Sequence, residues 1–513
     1  MTGCGALRIG FRMTDTQRHQ GARAPGAFRH VLRLVARAGR GLARSPRRTH
    51  ADDQARRIDD LTRATQRLEL ALAEQVEATR RVAEVATRLD RVEGLATDAM
   101  EFAQAAAGNS AVAARLATTV VRDGQPIRVG FLVHNYEAWG ALRRIHALMV
   151  ADDRFDPVVF TIPRRFPGAD TFRDEDGNSA GLTAEGVAHV RLNDPEPSVD
   201  VSRIKSFDLE VIFRQSHWQK DVPGVFRTDL LSFAKQYYVP YAITSLITEG
   251  GGIVEHTRKD VLARQFVAGA VARSIVASHD RLGGARITLS GHPKVREIRT
   301  AEPHWPIAST NTTRIIWSAH HAIDGRWNGF GTFPEVCDEM LALARRRPDL
   351  DILFSPHPAL ITRIDGMTPA RRARFDAFFR AWDALPNTGQ LRSGQYLGPF
   401  AASDLLVVDG LSFLMEYQLL KKPVIYLSRP GSSPWNAMGE MVVAGTHELP
   451  SARISGIEAL IDGLSNGSVP RKDAAQQALI DELTPRDDPA RFIVDTIHDD
   501  LRAEARRDET AAG

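Results

Sequence analysis

Two cysteines, Cys4 and Cys337, are all that 513 residues carry. So few, so far apart, they offer no disulfide framework and read as free thiols of a reducing compartment. No uncharged apolar stretch approaches the roughly 18–20 residues that a membrane-spanning helix needs. Arginines interrupt every candidate for the apolar core of a signal peptide. Net charge is also missing: 66 basic residues against 63 acidic ones exclude nucleic-acid binding by bulk charge. Nowhere do His, Cys and carboxylates gather at metal-ligand spacing, so neither a metal nor another cofactor is expected. Gly250-Gly-Gly252 lacks the Gly-Lys-Ser/Thr of a P-loop and reads as a mobile lip of a cleft. The expectation is a cytoplasmic protein of about two or three domains.

Charge is unevenly placed. Residues 1–57 hold thirteen arginines, three acidic residues and no lysine. Within a basic arm, residues 1–50, Phe28, Val31, Leu32 and Val35 recur at helical spacing between arginines. Such an arm reads either as an amphipathic helix on the anionic inner face of the membrane or as a disordered tail. Residues 51–107 have no proline and one interior glycine, Gly94, and carry Leu61, Leu68, Gln75, Val82, Leu89 and Ala96 seven apart. Ile58 and Leu72 complete this seam, and Val85, Val92 and Ala99 shift its phase. The seam predicts a coiled coil that mates copies into a homo-oligomer; a long helix folded back on the body is the alternative.

Beyond a linker, short apolar runs alternate with helical segments, which predicts an α/β protein with two doubly wound, Rossmann-like domains. Residues 125–296 form the first, with strands at Ile127–His134, Val158–Ile162, Leu209–Phe213, Gln236–Val239 and Ser274–Ala277. Residues 314–465 form the second, and residues 470–505 are terminal helices. Glu297–Thr313, rich in Pro, Ser, Thr and Asn, is the hinge candidate.

In parallel α/β units, ligands gather at the carboxyl ends of strands. His357 stands there, between Pro356 and Pro358, where it can donate to a diphosphate or exchange protons with a leaving phosphate. Gly410 and Ser412 start a helix whose free N–H groups would face an anion. Asp409 would repel phosphate and reads as a cap or loop organiser. His320 and His321 end the first strand of the second domain; in extended chain they point to opposite faces, so one reaches the diphosphate and the other packs.

The run Ser-Pro-His357-Pro, then Ser403-Asp-Leu-Leu-Val-Val-Asp409-Gly-Leu-Ser412 and Leu420-Lys-Lys-Pro-Val-Ile-Tyr426, resembles the C-terminal half of the CDP-glycerol glycerophosphotransferase family. Leu289-Ser-Gly-His-Pro-Lys294 stands where that family has a Gly-x-Pro-Arg turn. The resemblance implies a GT-B fold and a CDP-activated polyol-phosphate donor bound by the second domain. It implies a polymer or lipid-linked acceptor entering from the first. It makes His357 an essential donor-site residue, puts Ser412 on the donor phosphates and Glu416 on the ribose, and counts His292 on the donor side. The chain has Asp409-Gly-Leu-Ser412 where the family more often has Asp-Tyr-Ser-Ser. The family's acceptor-activating His-Gly motif aligns with Tyr238-Val-Pro-Tyr241, which lacks histidine; His217 is the substitute, with His134 as the other choice. A nucleotide-sugar glycosyltransferase or 2-epimerase on the same scaffold, and a non-catalytic coiled-coil assembly protein, are the rival readings.

Overall fold

A computed structural model describes residues 56–81, 85, 125–165, 171–216, 221–228, 230–248, 262–278, 280, 282–323, 329–391 and 395–512, with side chains through Ala503. The basic arm, most of the seam beyond residue 81, His217 and Gly250–Gly252 lie outside these residues. The chain divides into two compact units, residues 1–99 and 100–513. In the first, residues 56–81 form one helix, α1, on which Ile58, Leu61, Leu68 and Leu72 are all more than half exposed.

The second unit holds two parallel sheets. The first is built from β1 (Ile127–Val133), β2 (Phe155–Thr161), β5 (His189–Arg191), β6 (Val211–Arg214), β7 (Lys235–Tyr238), β8 (Leu262–Val267) and β9 (Ile287–Leu289). Its order is β5-β2-β1-β6-β7-β8-β9, and a small antiparallel hairpin, β3 (Arg164–Arg165) with β4 (Phe172–Arg173), follows β2. The second contains β10 (Thr313–Ala319), β11 (Leu350–Pro356), β12 (Thr388–Gln390), β13 (Leu405–Val408), β14 (Val424–Ser428) and β15 (His447–Pro450). Its order is β12-β11-β10-β13-β14-β15. In both sheets the first strand lies centrally, with the second and third on one side and the fourth onwards on the other. The strand order therefore reverses beside β1 and beside β10, where doubly wound sheets open a crevice.

Helices used below are α2 (Arg143–Val150), α3 (Glu175–Ala184), α4 (Pro293–Arg299), α5 (Phe333–Arg346), α6 (Pro358–Asp365), α7 (Leu411–Glu416) and α8 (Pro489–Ala512). The central strands are mostly apolar because helices cover both sheet faces. β11 and β13 are buried at every residue. Gly130 is needed in β1, since a Cβ there would meet Leu209 Cδ1 at 2.6 Å. Under the second sheet, Trp317, Phe333, Phe354, Phe378 and Trp382 form one aromatic cluster, with Trp317 and Phe354 centroids 4.4 Å apart. The expected strand Ser274–Ala277 is instead part of the helix Ala270–Ser278. Its residues are only partly covered, which suits a helix flank, whereas a central parallel strand would be buried throughout; β8 takes the sheet position.

The two sheet domains share a core. Ile243, Leu246, Val295 and Ile298 from the first pack in one cluster with Leu414, Met415, Tyr417 and Met438 from the second. The hinge candidate begins inside α4, and the segment after it is fastened down. Trp305 Nε1, Ser309 Oγ and Asn311 Nδ2 all donate to the buried Asp351 carboxylate. Finally α8 returns to the first domain, where Ala490, Ile493, Val494, Ile497 and Leu501 join Met149 and Phe155. Arg144–Asp488, Arg154–Asp495 and Arg264–Asp500 ion pairs flank that seam.

Candidate functional site

Three strand ends of the second sheet meet at its crevice. β10 delivers His320 and His321, β11 delivers His357, and β13 delivers Asp409 and Gly410. His357 N donates to the Ala319 carbonyl, which ties the first two ends together. The imidazole centroids of His320 and His321 are 4.3 Å apart, and those of His321 and His357 are 4.4 Å apart. The expectation that His320 and His321 diverge is overturned. The chain bends as it leaves β10, so their rings pack on one another.

Asp409 causes that bend. Its carboxylate is fully buried and accepts from His320 N and Thr332 N at 2.6 Å and from Thr332 Oγ1 at 2.9 Å. It is a loop organiser, tying His320 to Thr332. Gly331 sits against the residues that leave β10; a Cβ there would lie 2.9 Å from the His320 and Ala322 carbonyl oxygens. His320 Nδ1 accepts from Ala322 N, leaving Nε2 as the protonated nitrogen. His357 caps α6 in the same way, with Nδ1 accepting from Ala359 N at 3.1 Å. Its Nε2–H is thus a fixed outward donor. Gly410 caps α7 and lies against the His320 ring, where an added Cβ would be 3.6 Å from Cδ2. Ser412, in the first turn of α7, is exposed.

His357 keeps solvent access, yet surrounding protein pushes its imidazole down to about 4; burial is the main cause, and the Arg164 and Arg363 guanidiniums add to it. Arg164 belongs to the first domain, in the hairpin after β2. Its charge reaches His357 in the second domain. Burial, then His321, His357 and Arg363, also hold His320 well below its ordinary value. With His320 and His357 both held towards the neutral form and the charges of Arg164 and Arg363 acting on His357, the crevice would welcome an anion. Sequence reasoning missed both arginines. Their signal was position: Arg164 directly follows a strand end, and Arg363 lies in the last turn of the helix that His357 starts.

Two donor-side expectations meet other partners. Glu416 is wholly buried, with Oε1 taken by Lys294 Nζ and Oε2 by the Tyr396 hydroxyl, both at 2.7 Å. Its oxygens join the two domains, which leaves them turned away from any ribose. His292 is buried too; its Nε2–H donates to the Pro240 carbonyl and its Nδ1 caps α4 through Lys294 N. Among the described residues no group of His, Cys, Asp and Glu is placed to hold a metal ion.

On the first domain, His134 ends β1 and Arg214-Gln215 ends β6. Gln215 Oε1 accepts from His134 N and Asn135 N, while Asn178 Nδ2 in α3 donates to the His134 and Ile162 carbonyls. These amides hold the crevice loops. His134 is pushed down to about 3 by burial, then by Arg214 and Arg164, which makes it a weak base.

Acid should therefore destabilise the fold. His134, His357 and His292 (the last held at about 4, mainly by burial) refuse protons that the unfolded chain accepts below about pH 6.5. Their contribution is lost as pH falls from there towards 4. Asp409, raised to about 6 by burial against hydrogen bonds from Thr332 and His320, opposes this; its contribution is lost as pH rises through 6. With imidazoles prevailing, the denaturant midpoint should fall between about pH 6.5 and 4.5. His292→Asn, which keeps an acceptor for Lys294 N, should flatten that slope; an unaltered slope in the variant would reject this account.

No family model matches the chain, and no curated protein matches it. Solved structures do. One described as a UDP-N-acetylglucosamine 2-epimerase from Listeria monocytogenes is 13% identical with a TM-score of 0.50, covering 74% of this chain and 97% of that one. The UDP-GlcNAc 2-epimerase from Neisseria meningitidis, bound to UDP-GlcNAc, is 12% identical with a TM-score of 0.49, covering 72% and 99%. A variant of the wall teichoic acid polymerase TagF is 11% identical with a TM-score of 0.49, covering 78% and 95%. At such identity the likeness to the first establishes the fold alone, two Rossmann-like domains of GT-B type.

Proposed function

We propose that the chain is a GT-B transferase that moves a glycerol-phosphate-type group from a CDP-activated donor to a hydroxyl of a polymer or lipid-linked acceptor, in cell-envelope or capsular polymer synthesis. The observation that carries this reading is the meeting of His320, His321 and His357 with the start of α7 at one crevice. The donor diphosphate would accept from His357 Nε2–H and from the N–H groups around Ser412, with Arg363 and Arg164 balancing its charge. Its negative charge would raise the pKa of His357, so that the ring gains a proton as the donor binds and stabilises the leaving phosphate. The acceptor would enter from the first domain, the side of His134 and of His217. The exposed apolar seam on α1 supports assembly of copies through the N-terminal helix.

A nucleotide-sugar donor is the second reading. The occupied Glu416 and the missing tyrosine in Asp409-Gly-Leu-Ser412 favour it, since both depart from the resembled family. Titration with CDP-glycerol and UDP-GlcNAc, followed by product analysis, separates the readings. CMP release from CDP-glycerol is expected; UDP release from UDP-GlcNAc, or its epimer, would favour the second reading. No binding of either would remove both. Ser412→Ala should weaken donor binding by no more than about tenfold, because the backbone N–H groups remain.

A further inference from the structure

The helix α1 carries a wider apolar face than a two-stranded seam would use. Beside Leu61, Leu68 and Leu72 stand Ala64, Ala71 and Ala78 on one flank and Val76 on the other, all exposed. At 3.6 residues per turn, the positions between 61 and 79 leave an uncharged arc of about 160°, from Ala78 round through Leu61 to Val76. Thr65 and Thr79 fall inside it, but their hydroxyls donate to the Leu61 and Gln75 carbonyls at 2.9 and 2.8 Å, one turn back on the same helix. Those hydroxyls are satisfied without a partner. Gln75 is the remaining polar side chain of the arc. Charge keeps to the other side, where Arg63 pairs with Asp59, and Arg80 and Arg81 both pair with Glu77.

We infer that three or more copies of this chain pack these faces into one helical bundle, an inference that rests on the assembly reading above and deepens it. A two-stranded coil covers only the narrow seam and would leave the alanine flank and Val76 in water. In a larger bundle each helix meets two neighbours, and the whole arc is used.

The chain itself is the partner that this face fits. Its seam repeats every seven residues, a spacing that a second copy matches along its whole length. With copies in register, each Gln75 carboxamide meets its counterpart, donor to acceptor, and is not buried without a hydrogen bond. Arg67 and Glu74 border the arc on one side, Glu69 and Arg80 on the other, so each edge holds one charge of either sign. Such edges do not repel a copy, and they offer no single-signed strip to select an oppositely charged partner.

Sedimentation equilibrium of the full chain over a range of concentrations tests this, and the wild type should contain three or more chains. Leu68→Gln combined with Leu72→Gln should raise the concentration at which half the assembly dissociates by about 10²-fold or more. Leu70→Gln makes the same exchange on the opposite side of the helix, at a residue 68% exposed against 52% for Leu68. It should leave that concentration within about threefold, since leucine and glutamine are similar helix formers. Glu69→Lys combined with Glu74→Lys turns both edges basic; it should weaken assembly by about tenfold or more at low salt, with recovery at high salt. The melting temperature of the sheet domains should stay unchanged throughout, which separates loss of assembly from loss of fold. A wild-type monomer would remove the assembly reading and this inference with it, whereas a stable dimer would leave the assembly reading standing and overturn the bundle. Dissociation by Leu70→Gln as strong as that of the paired face variant, or a basic-edged variant that assembles like the wild type at low salt, would also overturn it.

Discussion

His357→Asn should lower turnover by about a hundredfold or more while leaving the melting temperature almost unchanged. The two effects separate because His357 has two jobs on two nitrogens. Nδ1 caps α6 by accepting from Ala359 N, and an asparagine carboxamide oxygen does the same, ranking among the best N-caps. Nε2–H faces the crevice, and no asparagine atom reaches the same place with the same proton affinity. Loss of one donor that acts on developing charge costs about 2.7–4 kcal/mol of barrier, or 10²–10³ in rate. His357→Ala should lose the cap as well, at about 1 kcal/mol of stability. Turnover and thermal melting of both variants check this, and full activity in His357→Asn would remove the donor-side mechanism.

Lys294→Ala should unfold the protein more readily than any surface substitution, by roughly 3–5 kcal/mol. Lys294 Nζ and Glu416 Oε1 are 2.7 Å apart, with 13% and 0% of their side chains exposed. Removing the lysine leaves a buried carboxylate with only the Tyr396 hydroxyl for company. Removing both charges together, in Lys294→Met with Glu416→Leu, should recover most of the loss, because two apolar side chains need no solvation. Denaturant titration of the single and double variants tests this. If the double variant is as unstable as the single, the pair is not the cause.

The strands around this site were legible because a parallel sheet covered on both faces leaves largely apolar runs. Ile127–Val133, Leu350–Pro356 and Leu405–Val408 could be read for that reason, and with them the station of His357 beyond a strand. Ser274–Ala277 misled because a short β-branched run fits either a strand or a helix flank. The bend at His320 depends on Asp409, 89 residues later, and the fate of Glu416 depends on Lys294, 122 residues earlier. Spacing along the chain carries no trace of either contact. Arg164 and Arg363 look like ordinary surface charges until the fold brings their charge to bear on His357.

The return of α8 to the first domain bears on how the chain is made. Synthesis delivers β1 to β9 first, but the cover over Met149 and Phe155 consists of Ala490, Ile493, Val494, Ile497 and Leu501. While the second domain is still being translated, that apolar surface has no partner, and the nascent first domain waits in an unfinished state open to chaperones. A premature stop between Pro450 and Pro489 therefore spares the second sheet's strands and damages the domain at the opposite end of the message.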